Sequence, residues 1–362
     1  MHSLTTGEQH EATEGFIPTE RSSLPARAAS ADAFPVRAGE HEATGGFIPT
    51  ERPITYAVIS DVHGNKFALE AVLADAKVRG AEHYLFLGDY FQDLPFGNEV
   101  CELIRSVPGT VIRGNKEARI AGWRDEIGSP MQVALIRNGA NRLTPENYAF
   151  LTTLPETAAV TAEDGAELHL EHAPPVVFDF KPRIETFRSG VFRKGGGHRG
   201  MTVEEYTACV LREIDSRPDF PAALDSLPYE TLLFGHNHVQ LRLEIGGRLL
   251  LNPGSAGMSL DGDNRAAYAL IDRSGGRWNA EPRRVGYDVD SAIAAALAYA
   301  DEIQAGAWGK VHAAQLKYGY SFTGAFMRHV NSYIGIDRAG FNPVSDEIFA
   351  AASDTFDIND YC

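Results

Sequence analysis

Seven residues with metal-competent side chains stand directly after short apolar runs in this chain. Asp61 and His63 follow ITYAVIS, Asp89 follows LFLG, Asn115 follows VIRG, His172 follows LHLE, and His236 and His238 follow LLFG. Two carboxylates, one amide oxygen and four imidazoles combine hard oxygen with borderline nitrogen donors. That mixture suits Mn, Fe, Zn, Ni or Co better than Ca or Mg alone, with Mg kept among the candidates. Seven groups are too many for one tetrahedral ion with an open position. They suit two divalent ions ~3.5–4 Å apart that share a carboxylate and a hydroxide and clamp a phosphoryl group for in-line attack.

Such residues must be brought together by the elements that precede them. ITYAVIS reads as a strand buried on both faces. A helix follows, with Leu69, Val72, Leu73 and Ala76 at helical spacing. HYLFLGD is a second strand, Val100, Leu103 and Ile104 mark a second helix, and TVIRGN is a third strand. Residues 116–153 read as helical with a break near Gly139, AELHLEH as a strand, and about Val203 to Ile214 as a helix. Strands follow at TLLFGH, VQLRLEI, RLLLN and AAYALID, and a helix at DVDSAIAAALAYADEIQAG. Alternation of strand and helix predicts an α/β architecture. Ligands of such sheets gather outside the carboxyl ends of the strands, so the seven residues are expected to converge. Asp61 and His63, at i and i+2, are expected on one side of their strand, with Gly64 turning the chain into the helix. The N-terminus of that helix adds a positive dipole near a bound phosphate.

A formal charge of -16 argues against general nucleic-acid or anionic-membrane binding, and 44% apolar residues suffice for a sizeable core. The three cysteines, Cys101, Cys209 and Cys362, form no C-x-x-C pair, which fits a reducing compartment. The N-terminus shows no signal-peptide pattern and no long apolar run occurs, so a cytoplasmic location is expected. Residues 1–53 lack periodicity and read as a disordered tail. Within them HEATEGFIPTER (His10 to Arg21) returns as HEATGGFIPTER (His41 to Arg52), with Glu14 replaced by Gly45. The basic residues Lys181, Arg183, Arg188, Arg193, Lys194 and Arg199 surround Gly195–Gly197 and read as a flap for a phosphate or nucleotide.

The segments SDVHGN, LGDY, RGNKE, EHAP and GHNH stand in the order and rough spacing of the calcineurin-like metallophosphoesterases. The chain is similar to the compact bacterial phosphodiesterase branch of that superfamily, and LLLNPGSAGMSLDG (Leu249 to Gly262) adds to the resemblance. The resemblance covers about residues 54–275. It implies a four-layer α-β-β-α sandwich of two mixed sheets, here with a helical C-terminal extension over 276–362. It further implies that Asp61, His63 and His238 bind one metal, that Asn115, His172 and His236 bind a second, and that Asp89 bridges. A hydroxide held between the metals is then the nucleophile.

Two departures from the superfamily pattern matter, the first for substrate and the second for the backbone at His172. Lys116 occupies the position where the superfamily commonly has a histidine, which points toward diesters or esters with good leaving groups. Ala173-Pro174-Pro175 follows His172 in place of a glycine. Lys116, Asn65, Arg193 and Arg199 are the expected substrate contacts. The expected function is hydrolysis of small phosphodiesters, nucleotides among them, with phosphomonoesters as a second class. A Ser/Thr-type protein phosphatase and a non-catalytic scaffold of the same fold are the alternatives. The sequence leaves the natural substrate, the metals and the oligomeric state open.

Overall fold

In a computed structural model, residues 53–121, 137–178, 203–303, 305–337, 342 and 344–361 are described. Strand β1 (Thr55–Ile59) lies at the centre of the first sheet. It pairs in parallel with β2 (His83–Phe86) and antiparallel with β9 (Ala266–Ser274), so that Val58 lies opposite both Leu85 and Ala269. β3 (Gly109–Val111) and β10 (Arg277–Val285) complete the order β10-β9-β1-β2-β3. The second sheet runs β4-β5-β6-β8-β7, with β4 Thr157–Thr161, β5 Glu167–Glu171, β6 Thr231–Leu233, β7 Gln240–Ile245 and β8 Arg248–Pro253.

Alternation along the strands sorts side chains into three apolar layers. Tyr56, Val58, Leu85 and Leu87 of the first sheet meet Leu168, Leu170, Leu233 and Leu251 of the second in one buried cluster between the sheets. Ala57, Ile59 and Phe86 point the other way, onto α1 (Lys66–Val78) and α2 (Gly97–Arg105). Leu232, Leu241, Leu243 and Leu250 face outward from the second sheet, onto Tyr206, Val210 and Ile214 of the helix Val203–Asp215 and Phe220 and Leu224 of the helix Phe220–Asp225. The order helix, sheet, sheet, helix is the four-layer sandwich. β1 reads as a continuous apolar run because it is covered on both faces.

The helices between are numbered in chain order: α3 is Asn115–Ala121, α4 Pro145–Thr152, α5 Val203–Asp215 and α6 Phe220–Asp225. Thr144 caps α4 by accepting from the Asn147 amide, so the chain breaks at residues 142–144, a few positions later than Gly139.

β10 was not evident in the sequence, because its residues RWNAEPRRV are mostly half-exposed and carry a proline. As a nine-residue antiparallel partner of β9, it carries the first sheet through Val285, past the expected limit at residue 275. Four helices follow: α7 (Val289–Glu302), α8 (Ala307–Tyr318), α9 (Thr323–Ser332) and α10 (Asp346–Thr355). Val311, Phe322, Phe326, Phe349 and Phe356 give the last three of them a core of their own. The aromatic residues of this segment therefore serve mainly as packing. Ala292, Ala296 and Leu316 fasten the extension to Leu94 and Met258, which sit on loops at the carboxyl ends of the strands. Among the described residues no helix is long and apolar enough to cross a membrane.

Candidate metal centre

The loops leaving β1 and β2 are joined by main-chain hydrogen bonds. The amides of Asp61, His63 and Gly64 donate to the carbonyls of Gly88, Asp89 and Tyr90 at 3.0, 3.0 and 2.8 Å. β1 already ends at Ile59, so Asp61 and His63 are not brought together by strand alternation. Both adopt left-handed backbone, with φ of 55° and 53°. Asp89, His236 and His238 do the same, and Gln92 is the remaining non-glycine residue with positive φ among those described. This conformation is uncommon for residues with a Cβ and costs of order 1–3 kcal/mol each. Its concentration here turns side chains inward at the ends of the strands, which is where a site can hold strain.

All seven side chains converge. His63 Nε2 lies 3.0 Å from His238 Nε2, and Asp61 Oδ1 lies 3.3 Å from His238 Nε2 and 3.8 Å from His63 Nε2. Asp89 reaches both halves, with Oδ2 4.0 Å from His63 Nε2 and Oδ1 3.6 Å from His172 Nε2. Asn115 Oδ1 lies 3.2 Å from His172 Nε2 and 2.9 Å from His236 Nδ1. The potential ligand atoms of Asp61, His63 and His238 all lie within 4.8 Å of one another, and those of Asp61, Asp89 and His172 do likewise. Asp61 takes part in both groups, and Asp89 faces His63 on one side and His172 on the other.

The outer nitrogen of three of these rings is fixed. His172 Nδ1 donates to the Leu87 carbonyl at 2.7 Å, His238 Nδ1 donates to the Met258 carbonyl at 2.7 Å, and His63 Nδ1 lies 2.5 Å from Asp93 Oδ2. These contacts place the protons on Nδ1 and turn the Nε2 atoms inward, the arrangement of metal-ligating imidazoles. The Nε2 atoms of His63 and His238 lie 3.0 Å apart, close enough to share one proton, which a metal ion held by both would displace. Asp61 Oδ1 points into the same space and is buried without a hydrogen-bond partner. The other oxygen of Asp61 is spent on Ser60 Oγ, at 2.6 Å, and on the His236 amide, at 3.0 Å. A buried carboxylate oxygen with no partner is costly, and a divalent ion removes that cost. The residues present fit the metals that their donor types suggest.

Electrostatics agree. Burial opposes the charge of Asp61, but the neighbouring His238 and His63 hold its pKa well below the usual range. Asp89 is lowered too, against its burial, by His172 and His63. Burial pushes His236 down to about 4, with His172 adding to the effect, so this ring stays neutral and can donate a lone pair. Burial also works against a charge on His63, yet the Asp61 and Asp93 carboxylates outweigh it and raise its pKa to about 10. That corner favours positive charge, and a divalent ion bound there releases a proton.

The segment Asn252–Ser255, legible in the sequence only as a signature, holds the first loop in place. Ser255 Oγ donates to the Asp61 carbonyl at 2.7 Å, and the Ala256 and Gly257 amides donate to the carbonyls of Ser60 and Asp61 at 2.9 and 3.1 Å. Asn252 Nδ2 donates to the Gly235 carbonyl at 2.8 Å and so ties that loop to the turn bearing His236 and His238.

The expected substrate contacts fare differently. Asn65 is fully buried, caps α1 by accepting from the Ala68 amide at 3.2 Å, and donates to the Gly257 carbonyl at 2.8 Å. Its polar atoms are used inside the fold, so its place is structural. Lys116 stands at the rim with Nζ 3.5 Å from Asp93 Oδ2, while its amide donates to Asp89 Oδ1 at 2.9 Å. Arg193 and Arg199, with the rest of the basic flap, lie outside the described residues, as does the repeated tail. His169, near His172 in sequence, stacks on Tyr229 with ring centroids 3.9 Å apart.

Three further residues support the centre and were not singled out from sequence. Asp93 bonds His63 and lies four positions after Asp89 in GDYFQD. Glu117, within RGNKE, is fully buried and accepts from the amides of Asp89, Tyr90 and Gly114 at 2.9, 2.8 and 2.8 Å. Burial raises its pKa, and the charge of Asp89 adds to the shift. His312 comes from α8, far along the chain, and lies 3.7 Å from Asp93 Oδ1. A metal-competent residue soon after a strand-end ligand was a readable signal for Asp93 and Glu117; His312 had none.

The calcineurin-like phosphoesterase superfamily domain matches residues 54–276, more than half of the chain. The chain belongs to this superfamily. Over 255 residues it is 28% identical to the uncharacterized protein MJ0912 of Methanocaldococcus jannaschii, an alignment that spans 65% of this chain and 89% of the relative. Among solved structures it is similar to a metallophosphoesterase from Sphaerobacter thermophilus, at 22% identity and a TM-score of 0.50, over 74% of this chain and 100% of that one. A hypothetical protein, PH1004, from Pyrococcus horikoshii gives 21% identity and a TM-score of 0.50 over 74% and 99% of the two chains. At these identities the structures speak to the fold.

Proposed function

We propose that this protein is a metal-dependent phosphoesterase that hydrolyses small phosphodiesters, with phosphomonoesters as weaker substrates. One observation carries the reading. Two groups of ligand atoms share Asp61, whose Oδ1 is buried and without a hydrogen bond. In this reading Asp61, His63 and His238 hold one divalent ion, Asn115, His172 and His236 hold a second, and Asp89 lies between. Such ions supply Lewis acidity to a phosphoryl group and make a water acidic enough to attack phosphorus at neutral pH.

The chain's own residues supply orientation and charge. Asp93, Leu87 and Met258 fix the rings of His63, His172 and His238 through Nδ1. Loops tied by main-chain bonds keep the ligand atoms in place before a substrate arrives, so little reorganisation is needed during the reaction. Lys116, at the rim, offers a fixed positive charge to a phosphoryl oxygen. A lysine ammonium is a point charge that suits clamping an anion more than shuttling a proton to a leaving group. Diesters and esters with good leaving groups therefore suit the site best. Arg193 and Arg199 are proposed to add charge for the same phosphate or for a nucleotide, and the net charge of -16 makes nucleic acid a poor partner.

The test is hydrolysis of bis-p-nitrophenyl phosphate beside p-nitrophenyl phosphate, on metal-stripped protein given Mn, Ni, Zn, Fe or Mg. Preferential diester cleavage that is restored by a transition metal and lost in Asp89→Asn supports the reading. A protein that neither binds metal nor turns over these esters sinks it and favours a scaffold.

A further inference from the structure

The C-terminal helices reach the metal centre at one point. His312, in the second turn of α8, is 6% exposed and lies 3.7 Å from Asp93 Oδ1. Asp93 Oδ2 in turn lies 2.5 Å from His63 Nδ1 and 3.5 Å from Lys116 Nζ. The path from α8 to a ligand candidate is therefore two side chains long, and every member is at least largely buried.

Three features indicate that this contact aims Asp93. Gln92, just before it, has φ of 97°, a backbone conformation that a residue with a Cβ adopts at a cost of order 1–3 kcal/mol. That turn directs Asp93 toward His63, and surrounding contacts must hold it. Trp308 packs edge-on against His312, with ring centroids 5.3 Å apart, so the imidazole is itself braced. Leu94, immediately after Asp93, is clamped by Ala292, Ala296 and Leu316 of α7 and α8. The extension thus holds this loop at two successive residues, Asp93 and Leu94. His312 lies beyond residue 276, where the match to the superfamily domain ends.

We propose that His312 is a positioning residue for the metal centre: through Asp93 it orients His63, and the C-terminal extension is thereby part of the machinery that sets metal affinity. This inference rests on the metal-dependent reading above. An outer partner of a metal-ligating histidine fixes its tautomer and direction, and its loss commonly costs 10–100-fold in affinity or activity.

The experiment uses the full chain, stripped of metal, with Mn(II) as the probe. Manganese binding is measured by calorimetry for the wild type, His312→Ala and His312→Asn, beside kcat and KM for bis-p-nitrophenyl phosphate and thermal unfolding of each. The expected result for His312→Ala is roughly tenfold or greater weakening at one of two ions. The second ion is unaffected, and kcat falls with KM nearly unchanged. His312→Asn, which keeps a donor toward Asp93, recovers part of the loss. Wild-type manganese affinity in folded His312→Ala overturns the proposal, including the case where only its thermal stability has dropped. Should His312→Ala not fold, Asp93→Asn tests the same link, and undiminished affinity there overturns it. The two readings fail separately. A wild type that binds no metal defeats the metal-dependent reading and this inference with it. A wild type that binds metal as well as His312→Ala does defeats only the role of His312.

Discussion

The His63 amide donates to the Asp89 carbonyl at 3.0 Å, and the Asp89 carboxylate lies 4.0 Å from the ring of the same histidine. One main-chain bond thus sets the distance between a residue that follows β1 and one that follows β2. The centre is built on loops, but loops stitched to each other have little freedom to drift. Its ligand geometry is consequently a property of the two-sheet frame and is vulnerable to small changes in that stitching.

Asp61 is assigned to the first ion, and its carboxylate also lies within 4.8 Å of the ligand atoms of Asp89 and His172, so its replacement is expected to disturb both ions. Asp61→Asn keeps the bulk and one acceptor but removes the charge that balances a divalent cation. Turnover of a diester is expected to fall at least about a hundredfold, the upper end of what an outer-partner loss costs. Metal content by mass spectrometry is expected to fall below one ion per chain. Two ions retained in Asp61→Asn would contradict the sharing.

Gly235 lies directly against the first loop. A Cβ there would stand 2.0 Å from Ser60 Oγ and 2.7 Å from Asp61 Oδ2. Gly235→Ala must push Asp61 or the turn of His236 aside. Far-ultraviolet circular dichroism is expected to remain that of the native fold, while manganese affinity and diester hydrolysis drop together. Unchanged affinity would mean that the loop yields without moving the carboxylate.

Glu117 satisfies three buried amides at once. Glu117→Ala strands them, at about 1–3 kcal/mol for each group left without a partner. The expected destabilisation is about 3 kcal/mol or more, which lowers the thermal midpoint by roughly 2–4 °C per kcal/mol. Glu117→Gln keeps one acceptor oxygen and should lose less. Thermal unfolding of the two variants ranks them, and an equal loss would argue against the amide cradle.

Cys101 is fully buried on α2, and burial pushes its thiol up to about 12. An ordinary thiol titrates near 8.5, so the protonated form is favoured by folding. Its contribution to stability is complete below about 8.5 and is lost as pH rises from there toward about 12. At pH 8 the folded protein is expected to leave Cys101 unlabelled by a thiol reagent, while partly exposed Cys209 reacts. Peptide mapping with and without denaturant checks this, and rapid labelling of native Cys101 would show that α2 opens easily.

The residue types of the centre and their places after strands were determined by the sequence alone. Asp61, His63, Asp89, Asn115, His172, His236 and His238 each stand where a local apolar run stops. Runs of this kind are encoded by neighbours in the chain, as are helix faces such as Leu69, Val72 and Ala76, so both could be read without contacts. The layering of the two sheets followed from the resemblance those residues carry. Other features were decided only in three dimensions. Asn65 was an expected substrate contact, yet the Gly257 carbonyl and the first turn of α1 absorb its side chain. Asp61 left an oxygen without a partner because Ser60 and the His236 amide took the other one. β10 formed from an unpromising sequence because β9 offered it an edge. His312 reached Asp93 because α8 packs over the loop after β2. Each of these depends on pairs of residues far apart in the chain. Their meeting is fixed by closure of loops and burial of shared surface, neither of which leaves a periodic trace in either partner's own segment.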